Sequence, residues 1–260
     1  MTDVDAEPTT LPDEVVDAVR GARRLLVLSG AGMSAESGVP TFRDAQTGLW
    51  EEFDPSQLAT AEAFRLDPPF VWAWYAWRMR LVRDVEPHPG HRALAELAGL
   101  REVTISTQNV DDLHERAGST VAAHLHGSLF ELRCSVCDTP YTGDVDLPTE
   151  PTERIDPPTC PQCEGDVRPG VVWFGEVLPD DAVAATEAAI DALEPGDVVL
   201  VIGTSGVVYP AAGYPAMARS EGATVIEVNP EETEISDMCH LVVRGTAAQV
   251  LPQVVEALAD

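Results

Sequence analysis

The stretch Leu25-Leu26-Val27-Leu28-Ser29-Gly30-Ala31-Gly32-Met33-Ser34-Ala35 decides the fold. Four consecutive apolar residues are long enough for a strand buried on both faces and too short for a helix. Gly30 to Ala35 then spell G-x-G-x-x-A directly after that strand. Gly30 permits a tight turn, Gly32 lets backbone approach a pyrophosphate, and Ala35 is small enough for close helix–strand packing. A helix beginning there presents free N–H groups and a positive dipole to phosphate. A purely structural glycine turn has the same spelling. The acidic residue that a hydride-transferring dehydrogenase carries at the tip of its second strand has no convincing counterpart. Glu51 and Glu52 have the spacing but come after Gly48-Leu49-Trp50, which does not read as a strand.

Working outward, Val103–Ser106, Val198–Ile202 and Thr224–Val228 share the character of Leu25–Leu28. Helical patterns are predicted over 13–24, His91–Leu97 and Asp181–Leu193. Strands alternating with helices predict an α/β fold with a Rossmann-like doubly wound parallel sheet. Two regions break the rhythm. Residues 47–86, rich in Trp, Phe and Arg, read as a helical insertion. Residues 129–168 hold cysteines and a Pro-rich stretch, and read as a small inserted module. The sheet domain is then assembled from 13–46, 87–128 and 169–255.

The chain has 260 residues, 45% of them apolar, which fits a folded domain with a substantial core. No run approaches the length of a membrane span, and the acidic start MTDVDAEPTTLPDE lacks the basic and apolar regions of a signal peptide, so the expected compartment is the cytoplasm. Forty-four acidic residues face 16 basic ones, all Arg, for a net charge of −28. That balance argues against nucleic acid as partner, because such a surface repels phosphate backbones. The acidity either attracts basic peptides or reflects a halophilic adaptation, in which salt screens self-repulsion. The acid is spread along the chain rather than blocked, which favours adaptation.

Cys134-x-x-Cys137 and Cys160-x-x-Cys163 are separated by 22 residues. Without a secretion signal, paired CxxC reads as metal binding before disulfide. Four thiolates leave tetrahedral Zn²⁺ no open position, so one structural zinc is expected. Cys239 reads as a small buried residue. Ser106-Thr107-Gln108-Asn109-Val110-Asp111-Asp112-Leu113-His114 lies at the end of a predicted strand, where α/β sheets bind ligands. Asn and Asp there can bond a carboxamide such as that of nicotinamide, or serve as turn and cap residues. His126-Gly127 precedes the cysteine module.

These motifs, with Pro40-Thr41-Phe42-Arg43, Val171–Glu176, Gly203-Thr204-Ser205 and Val228-Asn229, occur in one order that resembles the sirtuin family across roughly residues 13–255. The resemblance implies an NAD-dependent protein-lysine deacylase acting on acyl-lysine proteins or peptides. Gly30, Ala31, Gly32, Ala35 and Glu36 would line the NAD site, with Thr41, Phe42 and Arg43 on the loop over it. Gln108 would face the nicotinamide ribose, and Asn109 and Asp111 would hold the carboxamide. Gly203, Thr204 and Ser205 would take the phosphates and adenine ribose, Asn229 would reach that ribose, and Ala247 would lie near the adenine. His126 resembles the family's general base, which activates a ribose hydroxyl after the acyl oxygen has displaced nicotinamide. Products would be nicotinamide, free lysine and 2′-O-acyl-ADP-ribose. Val171, Val172, Trp173, Phe174 and Gly175 resemble the segment that clamps the substrate peptide by strand addition.

Tyr75 and Arg78 are spaced i, i+3, on one face of a helix, and a phenol with a guanidinium can bind a carboxylate. With Ala59 as a pocket-widening alanine, the pair resembles class III sirtuins, the desuccinylase and demalonylase type, whose bacterial members also deacetylate. Gly170 and Met33 depart from the more usual family residues, and His124 has no assigned role. ADP-ribosyl transfer to protein, or simple NAD hydrolysis, is the alternative activity. Oligomeric state has no signature in the sequence.

Overall fold

Leu25 to Leu28 lie at the centre of a six-stranded, wholly parallel sheet. A computed structural model of the chain describes residues 10–40 and 54–259. Thr41, Phe42 and Arg43 fall outside the described residues. The chain opens with α1 (Asp13–Gly21), β1 (Arg24–Ser29) and α2 (Gly32–Ala35). Then come α3 (Pro55–Leu58), α4 (Ala61–Leu66), α5 (Pro68–Asp84), α6 (Pro89–Leu97), β2 (Glu102–Thr107), α7 (Leu113–Arg116) and β3 (Val121–His124). β4 (Gly127–Cys134), β5 (Pro140–Tyr141) and β6 (Val167–Val171) precede α8 (Asp180–Asp191) and β7 (Val198–Ile202). The chain ends in α9 (Tyr214–Ser220), β8 (Thr224–Val228), β9 (Leu241–Val243) and α10 (Ala247–Ala259).

The parallel sheet has the order β3-β2-β1-β7-β8-β9. Its direction of winding reverses between β1 and β7, and a doubly wound sheet binds ligands outside the carboxyl ends of its strands at that reversal. Alternate residues of the two central strands feed two cores. Leu25, Val27, Val198, Leu200 and Ile202 pack with α1, α6 and α10. Leu26, Leu28, Val199 and Val201 pack with α8 and α9. Both faces are covered, which is why these strands read as unbroken apolar runs rather than as alternation.

A third core lies outside the sheet. α5 buries Val71, Trp72, Trp74, Tyr75 and Met79 against Leu129, Val171 and Trp173. Side-chain caps start α4 and α5. Thr60 Oγ1 accepts the Ala63 N–H at 3.0 Å, and Asp67 Oδ1 accepts that of Phe70 at 3.3 Å with Pro68 at the first helical position. β5-β4-β6 form a separate antiparallel sheet beside it.

Three expectations are adjusted. The helix predicted over 13–24 stops at Gly21, where the Ala22 N–H closes on the Ala18 and Val19 carbonyls and Arg24 enters β1. β3 and β9 are two further parallel strands. Ala35 makes no close helix–strand contact: α2 is a single turn and Ala35 is exposed at its end. Gly32 makes the close approach instead, since a Cβ there would stand 2.8 Å from Gly203 Cα.

Candidate active site

Four strand ends converge at the winding reversal. The Gly30 N–H donates to Ile202 O at 2.9 Å and the Gly32 N–H to Gly203 O at 2.8 Å, which locks the β1 turn against the β7 turn. Gly203 has φ +59°, a conformation that favours glycine. Gln108 Nε2 reaches from the β2 end to Thr204 Oγ1 (3.1 Å), and Asn229 Nδ2 reaches from the β8 end to the Thr204 carbonyl (3.1 Å). Beneath Asn229, the buried Glu227 carboxylate accepts from Arg244 (3.0 Å) and Ser236 (2.6 Å), and pins the loop after β8. Ala31, Ala35 and Glu36 are exposed along this crevice, while Ser205 is half-buried beside Thr204. Glu36 is committed in part, because its Oε2 accepts the Ala248 N–H (2.9 Å) at the start of α10. Ala247, the first residue of that helix, is buried.

Deeper in the crevice, Asn109 and Asp111 are each only 6% exposed. Asn109 Nδ2 donates to Ser34 Oγ (3.1 Å), and its N–H to Thr107 Oγ1 (3.0 Å). Asp111 Oδ1 accepts the Leu113 N–H (3.1 Å). Burial raises the Asp111 pKa above the usual carboxylate value despite those bonds. Behind them Ser29 Oγ bonds Thr107 Oγ1 (2.8 Å) and faces His114 Nε2 (3.0 Å).

His126 stands half-buried in the turn between β3 and β4, its Nδ1 at 3.0 Å from the Gln108 carbonyl. A carbonyl only accepts, so Nδ1 carries the proton and Nε2 keeps a free lone pair. Burial lowers the imidazole pKa, partly offset by that hydrogen bond, which keeps the ring neutral at neutral pH. The geometry therefore leaves a neutral imidazole with one unprotonated nitrogen. His124 acquires a place: it bridges Glu115 (2.7 Å) and the Asn109 carbonyl (3.1 Å), and so ties α7 to the loop after β2.

Beside the turn, Val172 donates its N–H to His126 O (2.8 Å), Trp173 to Glu176 Oε2 (2.8 Å), and Phe174 to Ala59 O (2.9 Å). These three amides are spent internally, so a peptide strand pairing here would use the segment's carbonyls. Phe174 is exposed, and Gly175 turns the chain at φ +86°. Tyr75 and Arg78 lie on one face of α5, Tyr75 4% exposed and Ala59 5% exposed in the same core. Arg78 holds its guanidinium 5.1 Å from the Trp74 ring; it makes no close ion pair among the described residues, and the Asp111 carboxylate acts on it through space.

The four cysteine sulfurs lie within 4.8 Å of one another, with Cys134–Cys163 at 3.4 Å and Cys137–Cys160 at 3.7 Å. Four thiolates around Zn²⁺ at ~2.3 Å stand about 3.8 Å apart, so the set fits a closed tetrahedral site. The residues at the sheet reversal likewise fit a dinucleotide: a glycine crossing bare of side chains, amide and carboxyl groups at depth, and hydroxyls on the β7 side.

A parallel sheet with this crevice and a four-cysteine module define a class of NAD-binding enzyme carrying a structural zinc. The Sir2 family profile matches residues 30–210, and the chain belongs to the Sir2 family of NAD-using enzymes. It is 53% identical over 235 residues, 90% of this chain and 98% of the relative, to the NAD-dependent protein deacylase of Mycolicibacterium paratuberculosis. Among solved structures, a Sir2 homolog–NAD complex superposes with a TM-score of 0.86 at 39% identity, covering 98% of this chain and 96% of that one. A Sir2 complex with a deacetylated p53 peptide and 3′-O-acetyl ADP ribose gives 0.75 at 29% identity, covering 94% and 97%.

Sequence reasoning missed the polar groups that hold the predicted residues in place: the Ser29–His114 contact, the Glu227–Arg244 pair, and the Arg168 that backs Trp173. The one signal available for them was an unpaired polar residue beside an apolar strand, as in Glu227 within Thr224–Val228.

Proposed function

We propose that this chain removes acyl groups from protein lysines at the expense of NAD, with a preference for succinyl and malonyl groups over acetyl, which it also removes. The observation that carries the preference is the Tyr75–Arg78 pair. In a chain with 44 acidic residues, a half-buried arginine that makes no close ion pair among the described residues, and feels Asp111 only through space, keeps the edge of its guanidinium available to a ligand. Burial disfavours ionisation of both groups, so Tyr75 stays a phenol that can donate. Ala59, in the same core as Tyr75, would be the small residue that widens the pocket for an acyl chain with a terminal carboxylate.

NAD, when bound, supplies an electrophilic ribose carbon and nicotinamide as leaving group. Gly30, Ala31, Gly32, Ala35 and Glu36 would hold its phosphate end with Gly203, Thr204 and Ser205, Asn229 and Ala247 the adenosine end, and Thr41, Phe42 and Arg43 the loop above. Gln108 would face the ribose, and Asn109 and Asp111 would orient the carboxamide. His126 Nε2 would accept the ribose hydroxyl proton, its lone pair kept free by the Nδ1 bond to Gln108. Val171–Gly175 would offer backbone carbonyls to the peptide. Expected localisation is cytoplasmic; no helix among the described residues is long and apolar enough to cross a membrane.

The test compares matched succinyl-lysine and acetyl-lysine peptides, with nicotinamide and deacylated product measured together. Arg78→Met should lower desuccinylation by about 10-fold or more and leave deacetylation within about threefold. Equal losses would remove the carboxylate-binding role, and nicotinamide release without any deacylation would favour ADP-ribose transfer or NAD hydrolysis.

A further inference from the structure

The Trp173 indole does something a backbone clamp does not require. It is 2% exposed, packed in the α5 core, and its Nε1 donates a 2.8 Å hydrogen bond to the Tyr75 hydroxyl oxygen. An indole nitrogen can only donate, so the phenol oxygen is the acceptor and its own O–H remains to be given elsewhere. Among the described residues the indole is that hydroxyl's hydrogen-bond partner.

The indole is itself held on several sides. Arg168, 6% exposed, lays its guanidinium 3.2 Å from the ring centroid. The Glu176 carboxylate grips that guanidinium at 2.5 and 2.9 Å, and also accepts the Trp173 backbone N–H at 2.8 Å. Arg168 Nη2 further donates to the Val171 carbonyl at 2.8 Å. Phe64 packs against the indole at 5.3 Å between centroids. Burial alone would raise the Glu176 pKa, but the Arg168 bonds hold it below the usual value, so the lock stays charged. A bidentate pair with its guanidinium buried fixes direction as well as distance.

We propose that Trp173 is a positioning residue for acyl-group selection: its indole N–H holds the Tyr75 oxygen as acceptor and thereby aims the phenolic proton at the terminal carboxylate of the bound acyl group. The inference rests on the acidic-acyl reading of Tyr75 and Arg78. It adds that acyl choice is set partly by a side chain of the peptide-clamping segment, through the Arg168–Glu176 lock.

The test is a double-mutant cycle on the succinyl-to-acetyl ratio of kcat/KM. Trp173→Phe should lower that ratio by about fivefold, the worth of one hydrogen bond, with the KM for NAD unchanged. In a Tyr75→Phe background the same change should leave the ratio unaltered, because the phenol it positions is gone. If Trp173→Phe fails to fold, Trp173 replaced by 3-benzothienylalanine keeps the shape and removes only the donor. Equal losses on both peptides, or full additivity with Tyr75→Phe, overturn the positioning role while Arg78→Met still reports on the pocket. A succinyl-to-acetyl ratio that neither Tyr75→Phe nor Arg78→Met moves overturns the pocket reading, and the positioning role with it.

Discussion

The Nδ1 of His126 points at the backbone carbonyl of Gln108 across 3.0 Å, so the residue proposed as the base is oriented by the loop proposed to face the ribose. Its burial lowers the pKa below 6.5. The base form is therefore complete at neutral pH and is lost only as pH falls through the lowered value. The acid limb of kcat/KM should have its midpoint below 6.5 and be flat by pH 7.5. His126→Ala should cost about 10²–10⁴ in kcat with folding intact, measured as product formed per enzyme at saturating peptide and NAD. A variant that keeps most activity would falsify the assignment.

A second pH effect concerns stability. His91 is fully buried, neither ring nitrogen has a hydrogen-bond partner among the described residues, and it lies between His88 (4.2 Å, tilted) and His114 (5.2 Å, edge-on). Desolvation first, then His114, His88 and Arg92, push its pKa down to about 2. Burial pushes His114 down to about 4, partly opposed by Glu115 and aided by His124 and His88. Below 6.5 the unfolded chain takes up protons that the native ring refuses, so stability falls by about 1.4 kcal/mol per histidine for each pH unit. Above 6.5 neither ring contributes a pH slope. His91→Leu should thus look progressively more stable than the parent as pH drops from 7 to 5, with the gap closing above 7. Denaturant titrations at each pH measure it, and a pH-independent difference would remove the buried-charge explanation.

What could be read in the sequence and what could not divides along physical lines. Val198–Ile202 and Thr224–Val228 match their strands residue for residue, because burial on both faces writes itself as an apolar run. Val121–His124 and Leu241–Val243 were not legible: they are the short outer strands, and each buries a single residue fully, Ala123 and Val243. Gly32 and Gly203 were legible as glycines but not as each other's partners, since a crossing of two turns about 170 residues apart leaves no local pattern. The four cysteines declared their cluster through spacing alone. The hydrogen bond between Trp173 and Tyr75 joins two residues whose individual identities carry no hint of the pairing.

The zinc module should matter to catalysis through geometry. β4 begins directly after His126 and pairs with β6, whose end feeds Val172 and Trp173. Loss of the four-thiolate closure frees β4 and β6 at their far ends, where Cys134 pairs with Val167. Metal analysis should find about one zinc per chain, as a closed four-ligand site requires. Cys134→Ser should abolish it and lower kcat/KM for the peptide by about 10²-fold, with NAD binding retained on the separate parallel sheet. Titration calorimetry with NAD checks the second half: equal loss of NAD binding would mean that the module supports the whole fold rather than the substrate side.

The acidity predicts a dependence on salt that separates its two explanations. With a net charge of −28 and 16 arginines against 44 carboxylates, most acidic side chains repel one another with no cation to spare. The ion pairs that exist are largely at the surface, such as Arg80–Asp84 at 2.8 Å with both side chains exposed, and contribute little each. Raising ionic strength shortens the screening length from about 10 Å at 0.1 M to about 3 Å at 1 M, which weakens repulsion spread over the whole surface. If the composition is an adaptation to salt, Tm should climb steadily by on the order of 10 °C between 0.05 and 2 M KCl, and sucrose of equal osmolality should not reproduce the rise. If the acid serves instead to attract basic peptides, Tm should be nearly flat, and the KM for an arginine-flanked acyl-lysine peptide should rise steeply with KCl while that for an uncharged one does not. Measuring both quantities over the same salt series makes each explanation answerable to a different curve.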